Sequence, residues 1–191
     1  MRKLLALMAF TAGTAAWGQG FEAWFSAGQS LLSNSGLGTT ATSGGTKDDV
    51  KLNDGFRFSL RMALNTQKFS GYEVGYGYNR SALHFRDGSS ADVGFGEHQG
   101  TVNYLLYATP EGSKLRPFFT GGVGFNNYSV GGSSNTKFGI NYGGGVKVRV
   151  GPKYAIRFDL REYNNPKPFD LALKSGWVRQ TEISGGFGVV F

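Results

Sequence analysis

The sequence predicts an all-β fold, an eight-stranded antiparallel up-and-down transmembrane β-barrel, and three observations predict it. Eight segments alternate apolar and polar side chains with a period of two, the connections between them alternate long and short, and the chain opens with the pattern of an export signal. A chain of 191 residues is one domain's worth, and 31 glycines with 15% aromatics favour strands and tight turns over helices. The absence of cysteine excludes disulfides, thiolate metal sites and a cysteine nucleophile. A mean hydropathy of −0.25 is too low for a helical membrane protein.

The continuous apolar segment "LLALMAFTAGTAAW" follows Arg2 and Lys3 and runs into small residues, which is the order of a secretory signal. It is too short and wrongly flanked for a spanning helix. Cleavage after Gly18 divides the chain into a signal peptide over 1–18 and a barrel over 19–191, with Ala16 and Gly20 as the alternative sites. Losing Arg2 and Lys3 takes the formal charge from +7 to +5, so the exported chain is mildly basic.

Along the exported chain the first segment, around Phe21 to Ser30, leaves its greasy face open, because Trp24 and Phe25 compete for it. In "GFRFSLRMAL", Phe56, Phe58, Leu60, Met62 and Leu64 alternate with Arg57, Ser59, Arg61 and Ala63. In "GYEVGYGYN", Tyr72, Val74, Tyr76 and Tyr78 oppose Glu73, Gly75, Gly77 and Asn79. The fourth segment sets Val102, Tyr104 and Leu106 against Glu97, Gln99, Thr101 and Asn103. The fifth sets Phe119, Val123 and Phe125 against Thr120 and Asn126, and the sixth sets Phe138, Ile140, Tyr142, Val146 and Val148 against Asn141, Lys147 and Arg149. In "AIRFDLREY", Ile156, Phe158 and Leu160 oppose Arg157, Asp159 and Arg161. The last segment sets Ile183, Phe187, Val189 and Phe191 against Gln180, Glu182 and Ser184.

Long polar connections are expected at about residues 31–54, 80–94, 129–137 and 164–176, and short ones at "NTQKFS", "TPEGSK" and "GPK". Outer-membrane barrels show this asymmetry, with short periplasmic turns and longer outer loops. The runs "GGVGF", "GGGVKV" and "GGFGVVF" lack the following helix and the Lys and Ser or Thr of a phosphate loop, so their glycines are read as structural, leaving room for long charged neighbours.

Periodicity alone does not say which face meets water, since a soluble sheet and a membrane barrel print the same alternation. The export signal, the connection lengths and aromatics near strand ends decide for the barrel. Those aromatics are Phe56, Tyr72, Tyr78, Tyr128, Phe138, Tyr154, Tyr163, Trp177 and Phe191, expected as two girdles on the outer surface. The ionic list then points inward, where isolated charges are expensive and must pair. Arg57, Arg61, Lys147, Arg149, Arg157 and Arg161 are expected to meet Glu73, Glu97, Asp159 and Glu182 in a lumenal polar network, structural or pore-lining. Eight strands enclose a space that side chains fill, so a packed polar plug is expected over an open pore.

The export signal, eight alternating strands, long outer loops and terminal "FGVVF" resemble the small outer-membrane β-barrel family typified by the transmembrane domain of outer membrane protein A. The resemblance implies that Ile183, Phe187, Val189 and Phe191 form the C-terminal signature read by the barrel-assembly machinery, with Gly185 interrupting the pattern. It also implies a place in the cell outer membrane, with membrane lipid and that machinery as partners. Nothing corresponding to the family's peptidoglycan-binding domain follows the last strand, so tethering to the cell wall is not implied.

Enzyme chemistry is weighed and set aside. The histidines are His84, expected in a loop, and His98, which lacks the serine two residues on that a lipid-face His and Ser pair needs; Gly100 stands there. Asp48, Asp49, Asn53 and Asp54 cluster in the first outer connection, but their spacing fails the calcium-loop pattern and Lys47 and Lys51 dilute the charge. No catalytic residue, metal ligand or cofactor is therefore assigned. The basic residues form no stripe interleaved with exposed aromatics, so nucleic acid is not expected as a partner. The favoured reading is a monomeric, non-enzymatic surface protein. A narrow, weakly anion-selective channel is the alternative, and a soluble ligand-binding barrel with its apolar face inside is a second.

Overall fold

The computed structural model describes residues 20–33, 36–38, 50–85, 93–130, 133–168 and 176–191. The predicted leader, and Asp48 and Asp49, lie outside the described residues. The strands are β1 (Phe21–Ser33), β2 (Gly36–Gly38), β3 (Val50–Leu52), β4 (Gly55–Gln67), β5 (Ser70–Phe85), β6 (Val93–Tyr107), β7 (Leu115–Val130), β8 (Ser133–Arg149), β9 (Tyr154–Pro166) and β10 (Trp177–Val190). Eight close a ring in the order β1, β4, β5, β6, β7, β8, β9, β10 and back to β1, every pair antiparallel. This is the up-and-down barrel that the alternation predicts. The two short strands β2 and β3 extend β5 at one end, with Lys51 opposite His84 and Leu52 opposite Leu83.

The outward parity is greasy all round the ring: Phe58, Leu60, Met62, Val74, Val102, Val123, Ile140, Leu160 and Ile183 are all exposed. A soluble ligand-binding barrel requires the opposite arrangement. In β1 the open question resolves with Trp24 buried and Phe25 outward. Ser26 and Ser30, on the parity of Trp24, are the small polar neighbours that mark that face as interior.

The ring strands are 13 to 17 residues long, more than the roughly 9–11 that cross a bilayer. Strand therefore replaces much of what reads as loop. Residues 80–85, 129–130, 133–137 and 164–166 are paired, and only 131 and 132 separate β7 from β8. Their Gly, Ser and Asn content carries a turn signal, but a registered neighbour keeps the ladder going, as in Tyr128 opposite Asn135 and Ser129 opposite Ser134. His84 accordingly lies on β5 rather than in a loop.

Two of the expected girdle aromatics face inward. Tyr128 and Tyr163 are each 2% exposed, because they share parity with Asn126 and Arg161. Their hydroxyls meet polar partners there: Tyr163 Oη donates to Glu182 Oε2 at 2.7 Å, and Tyr128 Oη accepts from Asn126 Nδ2 at 3.2 Å. Phe56, Tyr72, Phe138, Tyr154, Trp177 and Phe191 are exposed on the outside, and half-buried Tyr78 shares their parity.

Candidate functional site

The interior is layered along the barrel axis. At the end bearing β2 and β3, Leu37, Leu52, Leu83, Phe95, Tyr128 and Val178 form a buried apolar cluster, with Leu32 against it. Leu37 and Leu52 come from β2 and β3 in the first connection, and their side chains cap the mouth. Lys167 Nζ ties the cap to the far side of the ring by donating to Gly36 O, and Asp54 Oδ1 anchors its base by accepting from Leu32 N at 2.7 Å.

Below the cap lies a layer of amides around one carboxylate. Glu97 accepts from Asn79 Nδ2 at 3.1 Å, Gln180 Nε2 at 3.2 Å and Asn126 Nδ2. Among the described residues its expected ion pair is replaced by these amide donors, and Arg57, registered opposite Asn79, turns its Nε to Glu182 instead. Gln99 links this layer to the next, donating to Asn126 Oδ1 at 2.7 Å and accepting from Arg57 Nη2.

The middle layer is ionic. Glu182 receives Arg61 Nη2 at 2.6 and 2.9 Å, Arg57 Nε at 3.1 Å and Ser184 Oγ at 2.6 Å, besides Tyr163. Glu73 receives Arg157 Nη1 at 2.6 Å and Arg161 Nη2 at 2.7 Å. Asp159 receives Arg157 Nε at 2.7 Å, Arg161 Nε at 3.1 Å and Arg61 Nη1 at 3.7 Å. The four arginines and three acids thus form one connected network across the lumen, with every side chain buried. Buried charges in this arrangement satisfy one another, whereas any one of them alone is costly.

Glycine makes that network possible. Each core arginine is registered opposite a glycine on a neighbouring strand: Arg57 opposite Gly28, Arg61 opposite Gly75, Arg157 opposite Gly186 and Arg161 opposite Gly143. At Gly75 and Gly143 the missing side chain leaves space for the stems of Arg61 and Arg161, and the Arg57 guanidinium lies over Gly77, where a Cβ would come within 2.7 Å of its Cζ. A Cβ on Gly143 would stand 2.3 Å from Leu160 O and 2.7 Å from Arg161 Cα, too close for either to remain in place.

At the opposite end from the cap, Ala63, Leu105, Tyr107 and Phe118 form a second apolar cluster. Cations lie against its aromatics: Arg116 is 3.4 Å from the Tyr107 ring centre and Arg157 is 4.7 Å from that of Phe118. Lys147 meets an acid that sequence reasoning passed over, Glu22, whose other oxygen accepts from Asn65 Nδ2 at 2.9 Å. Parity in β1 identifies Glu22 once Trp24 is known to face inward. Arg149 does not join the network; it is half-buried at the rim, because the strand ends there and the ring opens to water.

The terminal residues Ile183, Phe187 and Phe191 are exposed on the greasy face. Phe191 N donates to Phe21 O at 2.9 Å, and their rings lie 5.6 Å apart, so the start of β1 and the residue after β10 meet at one end of the barrel. His98 lies on the outward parity of β6, with Nδ1 2.6 Å from Tyr76 Oη and the Tyr78 ring 5.0 Å away.

A family model described as outer membrane protein beta-barrel domain matches residues 3–191. The chain belongs to that family. Its location is the cell outer membrane, in keeping with its greasy exterior and with the solved structures it is similar to. Neisserial surface protein A is 18% identical with a TM-score of 0.67, covering 90% of this chain and 97% of that one. OprG from Pseudomonas aeruginosa is 12% identical with a TM-score of 0.63, covering 91% and 96%. Ail, the attachment invasion locus protein of Yersinia pestis, is 15% identical with a TM-score of 0.52, covering 91% and 99%. At these identities the likeness speaks for the barrel alone. No curated protein matches the sequence.

Proposed function

We propose that this barrel is a non-enzymatic, monomeric surface protein: a sealed membrane anchor whose outer connections meet the exterior. The observation that carries the reading is the interior itself. Arg57, Arg61, Arg157, Arg161, Glu73, Asp159 and Glu182 bridge the lumen as one network, beneath an apolar cap that contains Leu37 and Leu52. An ion following the axis would have to break buried charge pairs and cross a greasy layer, and both steps are expensive. The names of two structural neighbours, a surface protein and an attachment locus, favour the same class of role.

The channel alternative, with anion preference, needs excess positive charge where ions would pass. The middle of the barrel has none, since its four arginines are balanced by Glu73, Asp159 and Glu182 within the network and by Glu97 in the adjoining amide layer. The test is conductance of the purified barrel in a planar bilayer. Electrical silence is expected; stable openings that favour chloride would overturn the sealed anchor. The terminal signature of Ile183, Phe187, Val189 and Phe191 supports delivery by the barrel-assembly machinery, since the first three lie on the lipid-facing parity of the last strand and exposed Phe191 follows it directly.

A further inference from the structure

The charge of this chain is spread unevenly along the barrel axis. The middle balances, four arginines against four acids. The end carrying the start of β1, the end of β10 and the three short turns holds Lys68, Lys114, Arg116, Lys147, Arg149 and Lys153 against Glu22 and Glu111, a surplus of four. Of the +5 left once Arg2 and Lys3 are set aside, everything else in the chain contributes one. By the barrel rule that puts short turns in the periplasm, the basic end faces the periplasmic leaflet.

Three of these residues are placed in the same way. Lys68, Lys114 and Lys153 are exposed, one in each short turn, and each immediately precedes an exposed apolar side chain: Phe69 within its turn, and Leu115 and Tyr154 on the outward parity of β7 and β9, which are 50%, 54% and 51% exposed. Leu115 and Tyr154 begin the lipid-facing surface of their strands at this end, and Phe69 lies exposed at the tip of the turn between β4 and β5. The ammonium one residue before each therefore stands at headgroup level, with a stem long enough to lie along apolar surface while its charge stays in the polar layer. Among the described residues no acid forms an ion pair with any of the three. The turns are distributed round the ring between β4 and β5, β6 and β7, and β8 and β9. Charges set apart in this way, each beside hydrocarbon, suit separate lipid headgroups better than one compact soluble anion.

We propose that the periplasmic rim is a binding surface for anionic phospholipid, with one headgroup phosphate at each of Lys68, Lys114 and Lys153. The three contacts fix the depth of the barrel and gather acidic lipid around it. The site is separate from the lumen and stands whether or not the barrel conducts.

The experiment is native mass spectrometry of the refolded barrel released from bilayers of equal phosphatidylglycerol and phosphatidylethanolamine, counting retained lipids of each kind. Enrichment of phosphatidylglycerol, up to three molecules, is expected, falling about fivefold for each of Lys68→Gln, Lys114→Gln and Lys153→Gln, the fold-change of about 1 kcal/mol per lysine. Enrichment should persist in the triple Lys→Arg variant and in Lys51→Gln with Arg80→Gln at the other end, whose side chains are also exposed. Heat-modifiable migration checks that each variant is folded, and the single variants serve if the triple Gln variant is not. Equal retention of the two lipids by the unaltered barrel would overturn the proposal. So would enrichment that survives the triple Gln change, that falls equally with the outer-end variant, or that free glycerol phosphate removes at equimolar amounts.

Discussion

Replacing Glu182 by Gln puts the ionic middle to a direct test. The carboxylate receives two contacts from Arg61 at 2.6 and 2.9 Å, Arg57 at 3.1 Å, Tyr163 at 2.7 Å and Ser184 at 2.6 Å. Arg61 would retain Asp159 at 3.7 Å and Glu73 at 4.0 Å, but among the described residues Arg57 has no second ion pair, and its Nη1 already lacks a hydrogen-bond partner. The change leaves a buried guanidinium uncompensated, which costs about 3–5 kcal/mol. For a chain of this size that is a fall of about 6–20 °C in the unfolding midpoint, at about 2–4 °C per kcal/mol. The assay is heat-modifiable migration on a gel across a temperature series in one detergent, beside Asp49→Asn in the first outer connection, where a change within about 0.5 kcal/mol is expected. The double variant Arg57→Gln with Glu182→Gln removes the stranded charge and should recover about half of the loss. A midpoint for Glu182→Gln equal to that of Asp49→Asn, or a double variant worse than the single, would refute the network as a source of stability.

Gly143→Val should lower stability by about 1–3 kcal/mol, because its Cβ meets the backbone of Leu160 and Arg161, whereas Gly121→Val, whose nearest atom is Asn141 O at 3.9 Å, should leave the midpoint within the error of the same gel assay. Leu37→Ser with Leu52→Ser should loosen the cap without opening the ring: limited proteolysis is expected to cut faster within residues 34–54 while heat-modifiable migration is retained. Loss of the folded band would mean instead that the cap is integral to the barrel. Phe191→Ala removes an exposed side chain and one ring contact, so it should refold in detergent with near-normal stability yet reach the outer membrane of cells in reduced amount, read by fractionation. Normal amounts there would remove Phe191 from the assembly signature.

The number and order of ring strands and the inward or outward side of most residues are legible in the sequence, because a strand assigns faces by counting in twos. Where that count was ambiguous, the loss was specific. Competition between Trp24 and Phe25 hid the parity of β1, and with it Glu22, the partner of Lys147. Tyr128 and Tyr163 read as girdle aromatics by residue type, although their own strands count them inward. Nor does the alternation announce the cap, since strands longer than the bilayer is thick enclose beyond it a small core of the soluble kind, where inward side chains turn apolar.

What the sequence by itself determined is a greasy barrel with charges inside, since both follow from local periodicity. Which acid meets which arginine was settled only by closure of the ring. Arg61 and Glu182 are 121 residues apart, and Arg157 and Glu73 are 84 apart. Their contacts depend on the register of strands that are not neighbours in the chain, and on glycines placed opposite each arginine. Closure also sets the height of every residue along the axis, and so gathers the surplus positive charge, scattered in sequence, at one rim.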